Sequence, residues 1–110
     1  MDLSKKEKRE LRELVGQCYE QHLEEHLEEL YEDFQKWGGK HIGAVELTDR
    51  IHKFHDGAAR ELYKMYIMTP PEIAIIYAIR NKIITKDELE TNIIKKLASH
   101  LELLEKHDQL

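Results

Sequence analysis

The chain has 110 residues, 41% hydrophobic and 35% charged, with a formal net charge of -5. That length supports one domain with a single core, and the composition excludes a disordered chain. The acidic balance disfavours a general nucleic-acid or membrane-surface binder. Five glycines and two prolines are too few for a turn-rich β-sandwich and suit a few long helices.

Cys18 is the single cysteine, so no internal disulfide is available and a reducing compartment is expected. The start, MDLSKKEKRE, lacks the apolar stretch of a signal peptide. The longest apolar run, Ile73 to Ile79, is too short to cross a bilayer. The expectation is an all-α cytoplasmic domain spanning residues 1–110: a bundle of four to five helices, with a long helix over about 4–37 and a helical core over about 44–107.

The first predicted helix opens at Ser4, with Glu7 three residues later in capping-box spacing. Helix formers run on to Trp37, and Gly38 and Gly39 stop them. Leu23, Leu27, Leu30, Phe34 and Trp37 mark one apolar face, while Leu11, Leu14, Val15 and Cys18 mark another. At about 100° per residue the two faces lie roughly 130° apart. A straight helix would present them to different partners. Either the helix bends near Gly16 to His22, or its N-terminal half, with Leu11, Leu14, Val15 and Cys18, packs on something other than its own domain, for which a second subunit is the economical choice. Charge agrees with this. Lys5, Lys6, Lys8, Arg9 and Arg12 crowd the start, while Glu20, Glu24, Glu25, Glu28, Glu29, Glu32 and Asp33 fill the second half. This opposes the helix dipole, and antiparallel pairing of two such helices sets basic ends against acidic ones. A homodimer through the first helix is therefore expected.

After a linker over Gly38 to Gly43, a second helix is predicted from Ala44 to Ile67. Leu47, Ile51, Phe54, Ala58, Leu62 and Met65 share its apolar face, and Gly57 either kinks or splits it. Thr69-Pro70-Pro71-Glu72 reads as a capped start, with Thr69 as the N-cap. The third helix, Pro70 to about Arg80, is apolar nearly all round and belongs at the centre. Asn81 can end it in the left-handed conformation. Thr85 and Glu88 have capping-box spacing for a last helix, whose stripe is Leu89, Ile93, Leu97, Leu101 and Leu104.

Three patterns carry possible chemistry. HLEEH, His22 to His26, matches the inverted zinc-peptidase pattern, with two histidines one turn apart and Glu25 as a possible base. It lies in an acidic run where a chance match is common, and no substrate cleft can be read beside it. Asp49-x-x-His52 is half of a di-metal bundle motif, whose other carboxylates are missing. AIRNKIITKDEL, Ala78 to Leu89, has helix-turn-helix form, but Asp87, Glu88 and Glu90 stand where phosphates would lie. His52, His55, Tyr63 and Tyr66 run along the edge of the second helix's core face, which suits a structural boundary, a protein interface or a metal site.

The stretch ELTDRIHKFHDGAARELY, Glu46 to Tyr63, resembles a segment of small uncharacterised bacterial helical proteins with the pattern E-L-x-D-x-I-H-x-F-H-x-G-x-x-R-E-L-Y. The match falls on Glu46, Leu47, Asp49, Ile51, His52, Phe54, His55, Gly57, Arg60, Glu61, Leu62 and Tyr63. The resemblance implies a helical module of bacterial type and no catalytic activity. The favoured reading is a non-enzymatic interaction or accessory protein, with a protein partner or a second copy on its helical surfaces. Its interface residues would be Leu11, Leu14, Val15, Cys18, His52, His55, Tyr63 and Tyr66. The competing reading is a bundle that binds a divalent metal or small ligand through His52 and His55, with His22 and His26 folded against them.

Overall fold

A computed structural model describes residues 3–98. Among these the chain is helical and has no strand. The elements are α1 (Lys5–Gly38), α2 (Ala44–Phe54), a π-helical turn (His55–Ala59), α3 (Arg60–Ile67), α4 (Pro71–Arg80), a 3-10 turn (Lys86–Glu88) and α5, described over residues 91–98.

Ser4 caps α1 as its spacing predicts. Its hydroxyl accepts from the Glu7 N–H at 3.1 Å, and Glu7 Oε1 accepts from the Ser4 N–H at 2.9 Å. The 34 residues of α1 make a rod about 50 Å long. Only its first half, as far as His22, has a full core to lie against. Leu11, Val15 and Cys18 are buried together with Leu62 and Tyr66 of α3, Ala74, Ile75, Ile76 and Ala78 of α4, and Ile93 and Leu97 of α5. Ile83, Ile84 and Leu89 close the same core from the α4–α5 connection. Leu14 is partly buried against it.

This corrects the expected subunit interface. The face of Leu11, Leu14, Val15 and Cys18 is covered by the chain's own α3, α4 and α5. The weakly covered half is the other one: Leu27, Tyr31, Phe34 and Trp37 are 41 to 63% exposed. Among the described residues α2 packs there, through Leu47 and an Arg50 guanidinium that bridges Asp33 of α1 and Glu46 of α2.

The second predicted helix is continuous in path but not in type. At His55–Ala59 it widens to i→i+5 hydrogen bonding. The wider turn retards the phase of everything after it. Leu62 stays buried and Tyr66 joins it as the buried pair of α3, while Met65, which fits plain α phasing, is only half-buried. Tyr66, expected at the edge, is a core residue.

Three boundaries differ from expectation for local reasons. Thr69 does not cap α4. Its hydroxyl donates back to the Met65 carbonyl, and Pro70 takes the N-cap position with extended backbone. At the other end of α4, Asn81 keeps a negative φ, and Lys82 takes the left-handed position at φ 61°. The box of Thr85 and Glu88 forms but encloses a 3-10 turn, and the helix resumes at residue 91. The expected stripe residues Leu101 and Leu104, and the core expected up to residue 107, lie outside the described residues.

Glu7 ties α1 to α5. Its Oε1 accepts from Lys96 Nζ at 2.6 Å and its Oε2 from Asn92 Nδ2 at 2.6 Å. The Lys96 ammonium, then the Ser4 backbone N–H, hold its carboxyl well below the usual 4.5, at about 2. A carboxyl whose pKa falls on folding stabilises fully above its unfolded value and loses that contribution as pH drops through the folded one. Glu7→Gln should therefore lower the melting temperature at neutral pH, and the gap to wild type should close between about pH 4.5 and 2, as thermal melts across that range will show. A second expectation concerns Lys40 and Lys82, both left-handed at φ 64° and 61°. Left-handed backbone costs an L-residue about 1–2 kcal/mol that glycine avoids. Glycine is also freer when unfolded, so Lys82→Gly should raise stability by up to about 1 kcal/mol in urea unfolding.

Candidate functional site

A cleft lies beside the π turn. It has a volume of about 460 Å³ and is lined by His22 and His26 of α1, Asp56, Gly57 and Ala58 of the π turn, Arg60, Glu61, Leu62 and Lys64 of α3, and Tyr77 and Asn81 at α4 and its end. Helical periodicity places His22 and His26 on one face, one turn apart. That face continues the buried row of Leu11, Val15 and Cys18. His22 therefore enters the core while His26 sits at its margin.

His22 is 6% exposed. Its Nδ1 is 2.8 Å from the Tyr66 hydroxyl, which is the only hydrogen bond the ring makes among the described residues. Among those residues no sealed side-chain nitrogen or oxygen lacks a partner, so Nε2 retains access to the cleft. Burial, then the positive field of His26, push the His22 pKa down, against a smaller pull from Glu25. The ring is therefore neutral at neutral pH.

Around it stands an aromatic cluster. The Tyr66 ring lies 5.5 Å from Tyr19, 5.7 Å from His22 and 5.4 Å from Tyr77, and the His22 and His26 rings stack at 5.6 Å. Burial raises the Tyr66 and Tyr77 hydroxyl pKa values, so both stay protonated. At the rim, Arg60, Lys64, Asp56 and Glu61 make no ion pair among the described residues. Two acids and two bases therefore share the mouth of the cleft.

The structure separates the residues that the sequence grouped. His52, His55 and Tyr63 are exposed on α2, the π turn and α3, whereas Tyr66 turns inward to His22. His52 and His55 line no part of the cleft, so the expected convergence of the two histidine pairs does not occur there. No three His, Cys, Asp or Glu side chains converge as a metal cage among the described residues. Cys18 is packed in the core, where burial and then Glu88 raise its thiol to about 11, so it is a packing residue and a poor nucleophile. No helix of the described residues is long and apolar enough to cross a membrane.

The sequence reading missed the His22–Tyr66 contact, because the two residues lie 44 positions apart and the π turn alters the phase between them. A usable signal was present: a histidine in phase with Leu11, Val15 and Cys18 is in phase with a core. No family model, no curated protein and no solved structure matches this chain.

The Tyr66 hydroxyl supports the site mechanically as well. Tyr66→Phe leaves His22 Nδ1 buried without a partner, which should cost about 1–3 kcal/mol. Chemical denaturation should show that loss with the denaturant slope unchanged, since the surface exposed on unfolding is the same.

Proposed function

We propose that the protein is a small non-enzymatic interaction protein that works as a dimer through the outer face of α1. One observation carries this reading. Lys5, Arg9, Arg12, Gly16, Glu20, Leu23, Leu27, Tyr31 and Phe34 follow one another at spacings of three and four, which makes a single stripe along the helix. All are exposed except the half-buried Leu23. The stripe is basic at one end, acidic at its middle and apolar with aromatic rings at the other end.

Such a face is complementary to its own reverse. Two copies laid antiparallel about an axis near Gly16 put Lys5, Arg9 and Arg12 of one opposite Leu27, Leu23 and Glu20 of the other, with Glu24, Glu28 and Tyr31 flanking that contact. A two-fold axis produces that pairing twice. Gly16, with open space where a side chain would stand, lets the backbones approach near the axis. Arginine and lysine over tyrosine and phenylalanine rings add a cation–π contribution. The same arrangement relieves the acidic run of α1, which is unfavourable in an isolated helix.

The dimer gives the apolar end a neighbour and leaves the cleft at the π turn open. A cytoplasmic setting fits this reading, since the buried free thiol of Cys18 needs no oxidising compartment.

The test is a pair of charge reversals read by sedimentation equilibrium. Arg9→Glu/Arg12→Glu and Glu20→Lys/Glu24→Lys should each weaken self-association at least about tenfold, or about 1.4 kcal/mol. Mixing the two variants should restore a mixed dimer, because each then presents the charge the other lacks. Wild-type association should also weaken as salt is raised. A wild type that stays monomeric at every concentration and salt overturns the proposal, as does a dimer that both reversals leave unchanged.

A further inference from the structure

We propose that His22 and His26 form an open binding site for a divalent transition-metal ion, with water in the cleft completing the coordination. Three observations meet there, none of which depends on the dimer.

The first is reach. The two imidazoles stand at i and i+4 on one uninterrupted helix, with ring centres 5.6 Å apart and planes 21° from parallel. Two histidines one helical turn apart can both reach one ion at metal–nitrogen distances of about 2.0–2.1 Å. His26 is half-buried, and among the described residues its ion pair is a long one of 3.9 Å to Glu29. The second is the outer partner of His22. A metal-bound histidine gives its other nitrogen to a hydrogen-bonding group, which fixes ring and tautomer. Tyr66 holds Nδ1 in that way and leaves Nε2 with access to the cleft.

The third is access. The cleft is open to solvent along His22 and His26, so an ion can reach both rings and keep part of its water. Two nitrogen donors select zinc, copper or nickel over magnesium or calcium, which require oxygen ligands. With two protein ligands the ion is exchangeable rather than a structural clamp.

The experiment is titration of untagged, chelator-treated protein with zinc or copper(II) ions, followed by native mass spectrometry and, for copper, visible absorption. One ion per chain is expected. His26→Ala should lose about tenfold or more in affinity while keeping the wild-type circular dichroism, since His26 lies at the margin of the core. Tyr66→Phe should weaken binding by about tenfold. His52→Ala/His55→Ala should bind as wild type does. Absence of binding by the wild type overturns the site. So does wild-type affinity in His26→Ala, or loss of the ion on removing His52 and His55.

Discussion

Everything in this molecule follows from a helix that is longer than its core. The row of Leu11, Val15, Cys18 and His22 has the rest of the chain wrapped over it, and beyond His22 the apolar content of α1 continues while the cover thins. One short helix, α2, attends that far half, held there by Leu47 and by the Arg50 bridge to Asp33 and Glu46. The position where full cover gives way to partial cover is where the π turn lies and where the cleft opens. Cleft and bare apolar strip are two results of the same mismatch in length.

The π turn sets the chemistry at this junction. An α-helical run from Ala44 to Ile67 would carry Met65 inward and leave Tyr66 at the boundary. The extra residue in the turn brings Tyr66 under His22. A polar pair then occupies the edge of the core, and the His22 Nδ1 and the Tyr66 hydroxyl satisfy each other by hydrogen bonding. Wide turns of this type are costly in regular helix geometry and recur at working sites. Here the widening is matched to a histidine on the neighbouring helix.

Much of the fold was legible because it rests on local signals. The Ser4–Glu7 box, the Gly38–Gly39 stop and the unbroken apolar character of α4 each act within a few residues, and each holds in three dimensions. The misplacements have a different origin. Thr69 had two carbonyl and amide neighbours to choose between, and took Met65. Asn81 was the better left-handed residue by type, yet the chain reverses one position later, at Lys82. Leu11, Leu14, Val15 and Cys18 were assigned to a partner because helical phase shows that two faces diverge but not which one the rest of the chain covers. The site depended on Tyr66, whose phase no periodicity count can recover across an unannounced π turn.

The bond between Glu7 and Lys96 spans 89 positions of sequence, which gives the fold an order in time. Closing so long a loop costs entropy that only the assembled interior can offset. Helical signals in α1 can act as soon as that segment leaves the ribosome, but its inner face has nothing to bury against until α4 and α5 have followed. Until then Leu11, Val15 and Cys18 have no cover from the chain. The Glu7 carboxylate near the base of the helix can pair only after Lys96 has followed, so any hydrogen-exchange protection that bond gives the first turn of α1 comes after α5 has been made.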